Sequence, residues 1–523
     1  MKLIRQLLNP ALYPHPVERV ELLETHISWV ILTGDYVYKL KKPVNFGFLD
    51  FSTLEKRQFY CSEEIRLNKR LAPQLYLHTV TINGTEEQPK LDGPGPTIEY
   101  AVKMRQFRQE DQFDRLLTND QLHRQDITEL ALIIAKFHQT AQPTTTDSAF
   151  GDPDHIHAPV RENFSQIDAL IESDADRAQL SEIASWSQYE FEDLKTNIAE
   201  RKQQGFVREC HGDMHLRNIA KFHNDIVIFD CIEFNDNLRW IDVISEIAFI
   251  EMDLHDRGRR DFANVLLNTY LQNTGDYPAM RLLRYYLVYR AMVRAKVDCI
   301  RAHQVGIGID EQTQTLKEFR HYLNLAQQFT KPVPPFLLIT CGLSGCGKTY
   351  ATDRLMEYLP FIRMRSDVER KRLFGLAPDE SSDSKLNSGI YTAQATHHTY
   401  AHLADITRTV LSAQWSVLVD ATFLQHEQRQ LFQNTAKELH VAFLILHFTA
   451  PQEVLTRRVM RRQQENSDAS EAGRQVLEAQ IPHQQPPSSA EQPYTLEIDS
   501  SGTVDYSALA QRIQERLSHG NIR

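Results

Sequence analysis

The stretch CHGDMHLRNI (210–219), followed by IVIFDCIEF (226–234), decides the reading of the first half of this chain. It places His211, Asp213 and Asn218 in one short segment and Asp230 at the end of an apolar run. Phosphoryl transfer asks little covalent chemistry of a protein. It needs a positioned acceptor hydroxyl and metal ions that neutralise charge. Asp213 on a rigid loop suits the base that accepts the hydroxyl proton. The Asn218 amide oxygen suits a magnesium ligand, and Asp230 suits a carboxylate bridging metal and phosphate oxygens. His211 reads as a brace for the loop. Asp and Asn in a loop are commonly turn or cap formers. Here NIAKFHNDIVIFD also predicts a hairpin of two apolar strands around a His-Asn-Asp turn, a scaffold that would separate Asn218 from Asp230.

Upstream, HISWVILT, YVYKLK, LHTVTI and IEYAVKMRQF read as strands around one helix at about 53–71. HGDMHLRN followed by FD resembles the catalytic loop and metal-binding Asp of the aminoglycoside phosphotransferase-like branch of the protein-kinase fold. VYKLKKP then resembles the kinase lysine strand, and LEKRQFYCSEEIRLNKRL its partner helix. The resemblance, over roughly residues 25–325, implies that Lys39 contacts nucleotide phosphates and pairs with a helix glutamate. Lys41 lies on the same strand face by period-two alternation and stays open as the alternative. Of Glu63 and Glu64, Glu64 is preferred, because it shares a helix face with Leu67 and Leu71. Asp242 resembles the family's second acidic position, expected to support the loop after Asp230. No GxGxxG loop precedes Lys39.

The second motif is GLSGCGKT (342–349), a complete GxxxxGK[ST] between the apolar strand PFLLIT and the helical YATDRLMEYL. Gly342, Leu343, Ser344, Gly345, Cys346 and Gly347 are expected to curl backbone amides around ATP phosphates. The dipole of the following helix adds to them. Lys348 would reach the β- and γ-phosphates and Thr349 the magnesium (Mg2+). Asp367 ends the next strand and is read both as the group facing an acceptor hydroxyl and as the N-cap of the VERKRLF helix. Arg370 follows as a candidate for binding an anionic acceptor. Asp420 ends SVLVDATF, where a carboxylate near magnesium is expected. Thr422 and Arg429 lie beyond it without an assigned role.

VLTRRVMRRQQENSDAS carries Arg457, Arg458, Arg461 and Arg462, whose i,i+4 spacing makes two pairs on adjoining helix faces. Arg458 and Arg462 are the preferred ATP-binding lid, with a solvated basic helix as the alternative. Residues 335–520 resemble the small P-loop kinases, a group with polynucleotide kinase-like, zeta toxin-like and chloramphenicol phosphotransferase-like members. The whole arrangement resembles the bacterial bifunctional aminoglycoside phosphotransferase/ATP-binding proteins. That resemblance alone does not make aminoglycosides the substrates.

Length and composition bound the rest. A chain of 523 residues is too long for one core, and 41% hydrophobic with 24% charged residues is ordinary for a globular protein. The net charge of −11 argues against a dedicated nucleic-acid binder. No apolar run reaches membrane-spanning length, and the N-terminus has no signal-peptide core. Six dispersed cysteines without CxxC spacing suit reduced thiols in a cytoplasm. FTKPVPPF marks the boundary, and beyond it apolar strands alternate with helices.

The expectation is therefore an α+β protein-kinase-like domain (1–328), a linker (329–336) and an α/β P-loop domain with a parallel sheet (337–523). Each domain is expected to bind ATP with magnesium and to phosphorylate a small-molecule hydroxyl in the cytoplasm. The rival readings are an ATP-driven switch with a ligand-binding first domain, and a polynucleotide 5′-hydroxyl kinase in the P-loop half. Sequence names neither the acceptor nor the oligomeric state.

Overall fold

The computed structural model describes every residue except 1, 48, 305, 379, 383–387, 466–472 and 520–523. The end of the arginine-rich stretch, 466–470, thus lies outside the described residues. The chain forms two compact units, one of Met1–Ser165 with Phe191–Asp253 and one of Gln166–Glu190 with Leu254–Arg523.

In the first unit, among the described residues, six strands make one antiparallel sheet: β1 (Glu21–Glu24), β2 (Ser28–Leu32), β3 (Tyr36–Lys41), β4 (Tyr76–Gly84), β5 (Pro89–Leu91) and β6 (Thr97–Arg105), in the order β1-β2-β3-β6-β4-β5. The sequence patterns anticipate β2, β3, β4 and β6. They miss β1, which is almost wholly exposed, and β5, which is three residues long, because neither carries an apolar alternation.

Helix α1 (Leu54–Asn68) starts where Thr53 caps it, its side chain accepting from the Lys56 amide at 3.3 Å, with Glu55 in the first turn. Cys61, Glu64, Leu67 and Asn68 recur at helical spacing and are buried. Short strands β7 (Val207–Glu209) and β10 (Trp240–Asp242) pair antiparallel, as do β8 (Ile219–Phe222) and β9 (Asp225–Ile228) of the expected hairpin. One apolar core joins Cys61 of α1, Val37, Tyr76 and Val102 of the sheet, and Ala220, Phe222 and Val227 of the hairpin. That shared core sets the distance between the lysine strand and Asp230. Helices α2 (Arg124–Thr140) and α3 (Val243–Asp256) lie beside the loop after β7, His138 of α2 meeting Glu246 of α3, which accepts from amides of that loop.

The second unit holds five parallel strands among the described residues: β11 (Phe336–Cys341), β12 (Ile362–Arg365), β13 (Val417–Asp420), β14 (Ala442–Thr449) and β15 (Thr495–Asp499), in the order β12-β13-β11-β14-β15. Leu337, Leu338, Ile339, Val417, Leu418 and Val419 are fully buried, as continuous apolar runs in a helix-covered parallel sheet should be. Strand order reverses around β11, so its C-terminal end opens on the crevice where open α/β sheets bind ligands. Helix α4 (Arg260–Thr274) belongs to this unit and packs beside the edge strand β12. No helix of the described residues is long and apolar enough to cross a membrane.

Candidate active sites

In the first unit, period-two alternation puts Lys39 and Lys41 on one face of β3, and α1 turns Glu64 towards both. Lys39 Nζ lies 2.9 Å from Glu64 Oε1 and 2.5 Å from Asp230 Oδ1. Lys41 Nζ lies 2.7 Å from Glu64 Oε2 and also pairs with Glu233. The lysines differ in access. Lys41 is 1% exposed, whereas the Lys39 side chain is 14% exposed and its partner Asp230 is 47% exposed. Only Lys39 can reach a phosphate without unpacking the core. Glu63, the other candidate, points outward to Arg66 at 2.8 Å.

Burial alone would lower the Lys39 pKa, but Asp230 and Glu64 hold it well above the ordinary lysine value. Burial likewise pushes Glu64 up, yet Lys39 and Lys41 bring its carboxyl down from 4.5 to about 2. A depressed folded-state value contributes stability that is complete above the unfolded value and lost as pH falls through the folded one. Between pH 4.5 and about 2, the first unit should therefore lose stability as Glu64 protonates. Acid titration followed by circular dichroism should give a shallower slope there for Glu64→Gln than for wild type.

Asp213 and Asn218 sit on the loop after β7. Asn218 Nδ2 donates to the Asp213 carbonyl at 3.0 Å and to Asp213 Oδ2 at 3.1 Å. This commits the amide nitrogen and leaves Asn218 Oδ1 as the atom that could hold a cation. The Asp213 carboxylate is 37% exposed. His211 Nε2 donates to the Phe229 carbonyl at 2.9 Å, while its Nδ1 accepts from the Asp213 amide at 3.3 Å. Burial pushes the His211 pKa below its ordinary value, so the ring stays neutral in that bridging tautomer.

Asp230 has φ +64°, a left-handed backbone that costs a non-glycine residue about 1–3 kcal/mol. The surrounding contacts hold it there. The Tyr76 hydroxyl accepts its amide at 3.1 Å, and Asn68 Oδ1 accepts the next amide, that of Cys231, at 2.9 Å.

Several supporting residues escaped the sequence reading. Glu246 Oε1 accepts from the amides of His211 at 2.8 Å and Gly212 at 2.6 Å, and Glu246 Oε2 lies 2.9 Å from His138 Nε2. Asp253 Oδ2 accepts from the Leu216 amide at 2.8 Å. The ISEIAF helix was legible, but a glutamate on it looks like any other until the loop is seen lying over it. Asp242, expected to support the segment after Asp230, instead holds Arg201 through two bonds of 2.7 and 2.8 Å and caps the Ile244 amide.

In the second unit, the loop 342–347 joins β11 to helix α5 (Lys348–Leu355). Glycine is required where the chain is crowded. A Cβ on Gly342 would lie 2.5 Å from the Phe448 carbonyl oxygen, and one on Gly345 2.8 Å from that of Leu455. Lys348 Nζ donates to the carbonyls of Gly342 and Leu343, both at 2.9 Å, so its ammonium lies over the loop. Asp420, 4% exposed, ends β13, and its Oδ2 accepts from Thr352 Oγ1 at 3.3 Å.

A cavity of about 640 Å³ gathers Lys348, Thr349, Asp420, Asp367, Arg458 and Arg462 on one wall system. Helix α7 (Gln452–Glu465) brings Arg458 over the loop, where its Nη2 donates to the Ser500 carbonyl at 2.7 Å. Asp367 lies in the first turn of helix α6 (Ser366–Leu373), not at its cap, which is Arg365. Arg370 is 7% exposed, and its Nη1 donates to the Ile390 carbonyl at 2.8 Å. Arg429 is structural. It is 1% exposed and grips Glu491 at 2.7 and 3.0 Å, and against the upward push of burial this holds the Glu491 carboxyl at about 2.

Comparison with known proteins finds two family matches along the chain. Residues 61–283 match the family model described as phosphotransferase enzyme family, and residues 337–487 match the one described as AAA domain. An uncharacterized protein of Mycobacterium tuberculosis (strain H37Rv) is 28% identical over 466 residues, which cover 87% of this chain and 89% of that protein. Among solved structures, amicoumacin kinase in complex with AMP-PNP, Ca2+ and Ami is 13% identical with a TM-score of 0.39, covering 62% of this chain and 92% of its own. A gluconokinase from Sinorhizobium meliloti 1021 is 17% identical with a TM-score of 0.25, covering 36% of this chain and 92% of its own. By these matches and the fold above, the chain carries a protein-kinase-like domain of the aminoglycoside phosphotransferase type followed by a P-loop domain with a parallel sheet.

Proposed function

We propose that this chain is an ATP-dependent phosphotransferase that moves the γ-phosphate to a hydroxyl of a small molecule, with a second ATP-dependent kinase site in its P-loop domain. The observation that carries the reading is the convergence of Lys39, Glu64 and Asp230, at 2.9 and 2.5 Å, in the unit that also carries the Asp213–Asn218 pair. The domain division proposed with it is 1–328, a linker at 329–336, and 337–523.

In the first site, Asp213 accepts the proton of the acceptor hydroxyl as the hydroxyl oxygen bonds the γ-phosphorus and the bond from that phosphorus to the bridging oxygen breaks, with ADP leaving. Lys39, held by Glu64, binds the phosphates of ATP. Asn218 and Asp230 offer an amide and a carboxylate oxygen, donors that fit a hard cation, and would hold magnesium. Bound there, magnesium supplies neutralisation of the phosphate charge. In the second site, Lys348 and the 342–347 amides bind phosphate, Thr349 and Asp420 would hold magnesium, and Arg458 and Arg462 cover the phosphates. Asp367 faces the acceptor. Arg370 favours an acceptor bearing an anionic group, since its Nε is buried without a hydrogen-bond partner among the described residues. The six buried free cysteines fit a cytoplasmic setting.

The test is transfer of labelled γ-phosphate from ATP into a deproteinised metabolite extract, with products resolved by mass for wild type, Asp213→Asn and Lys348→Ala. Lys348→Ala should abolish only the product of the P-loop site and weaken fluorescent-ATP binding there by about 10- to 100-fold, the loss of one or two charge-assisted contacts. ATP hydrolysis without any labelled small molecule would favour the switch reading. Label recovered in oligonucleotides would favour a polynucleotide acceptor.

A further inference from the structure

We infer that Tyr277, Glu369 and Arg372 are positioning residues for the P-loop reaction, holding α6 from behind so that Asp367 and Arg370 stay at the acceptor end of the cavity. The inference rests on the reading of that cavity as a phosphotransfer site.

Helix α6 has eight residues, too few to hold itself in water, so its contacts set its position. At about 100° per residue, Asp367 and Arg370 share one face of it, while Glu369 and Arg372 share the opposite one. The first face lines the cavity. The second is buried against the helical segment around 260–280. The Tyr277 hydroxyl, on a side chain 1% exposed, donates to Glu369 Oε1 at 2.9 Å. Glu369, at 0% exposure, also pairs with Arg372 and lies 3.4 Å from His402 Nε2 through its Oε2. Arg372 in turn donates to the Gln272 carbonyl. Gly275, at φ +73°, makes room for that guanidinium, since a Cβ there would lie 2.6 Å from Arg372 Nε.

The strand that leads into α6 is held from the same side. Asn268 of α4 spans the edge of β12 as a neighbouring strand would, its Nδ2 donating to the Phe361 carbonyl at 2.9 Å and its Oδ1 accepting from the Arg363 amide at 2.6 Å. Strand and helix are thus both pinned by residues outside the sequence matched as AAA domain. The loop at the phosphate end is held from within the P-loop half, the Ser344 amide donating to Gln480 Oε1 at 2.9 Å and Ser500 Oγ donating to the Cys346 carbonyl at 2.7 Å, while from the 260–280 side Asn264 Nδ2 reaches the Met356 carbonyl beyond α5, at 3.2 Å. Loss of the Tyr277 contact should therefore affect the acceptor side and spare the nucleotide side.

The experiment compares full-length wild type, Tyr277→Phe and Glu369→Gln. Two readouts are taken: Lys348-dependent transfer of label into the metabolite extract, and hydrogen exchange of peptides covering 361–375 and 342–356. Transfer by Tyr277→Phe should fall about tenfold, the scale expected for sub-ångström misplacement of a reacting group. Exchange in 361–375 should rise about tenfold with 342–356 unchanged, and magnesium-dependent binding of fluorescent ATP should stay within about twofold of wild type. Glu369→Gln should act in the same direction. Unchanged exchange at 361–375, exchange raised equally in both peptides, or transfer at the wild-type level would each overturn the inference. If wild type gives no Lys348-dependent product, the phosphotransfer reading fails, and with it any role in positioning for transfer. The exchange readout then decides separately whether Tyr277 holds α6.

Discussion

Asp213→Asn, made in full-length protein that also carries Lys348→Ala, should lower transfer from the first site by about 10²–10⁴-fold, the range for loss of a positioned general base. Nucleotide binding should stay near that of the Lys348→Ala parent, because the pairs of Lys39 with Glu64 and Asp230 are left in place. The substitution is nearly isosteric. An amide at 213 still offers an oxygen to Asn218 Nδ2, which donates to Asp213 Oδ2 at 3.1 Å, so the loop should keep its shape. What disappears is the proton acceptor. The effect should fall on kcat more than on KM for ATP, since the lost contact is made with a proton in flight and not with the bound nucleotide. The Lys348→Ala background matters, because a second kinase site would otherwise mask the loss. Transfer at a third or more of the parent rate would remove Asp213 from the role of base and direct attention to water or substrate-assisted proton loss.

The parts of the fold and of the sites legible in the sequence are those whose physics is local. HGDMHLRN, the hairpin strands and GLSGCGKT each fit within a few residues, where spacing alone fixes which side chains meet. Period-two alternation placed Lys39 and Lys41 on one face but could not rank them. Their difference is burial, and burial arises from Phe51 and from Glu233, the latter nearly two hundred residues away. Glu246 and Asp253 were illegible for the same reason. They act on backbone amides 34 to 37 residues away, and their own surroundings carry no motif. Arg429 was likewise beyond reach of local spacing. The sequence left it without a role, and its role is to hold Glu491 with its guanidinium. The edge of β12 was unreadable too, because the residue that satisfies it, Asn268, lies on a helix about ninety residues earlier in the chain.

Lys41→Met should be the most destabilising single substitution at the first site, at about 3–5 kcal/mol, the cost of removing one partner from a buried ion pair. Lys41 is 1% exposed and lies between Glu64 and Glu233, which are 0% and 5% exposed. Glu64 keeps Lys39 as a partner when Lys41 is lost. Glu233 is left with only the weaker, more distant charge of Lys39, and a poorly compensated buried carboxylate must either take a proton or draw in water. Since about 1 kcal/mol moves the midpoint of a unit this size by about 2–4 °C, its melting transition should drop by roughly 6–20 °C. Adding Glu233→Leu should restore part of the loss, because the orphaned charge goes with it. Lys39→Met offers the contrast. Its partner Asp230 is 47% exposed and can be hydrated, so stability should fall much less while ATP affinity falls more. Melting and ATP titration of the two single variants therefore assign the lysines separately. A Lys41→Met protein that melts with wild type but fails to bind ATP would reverse the assignment and make Lys41 the phosphate ligand.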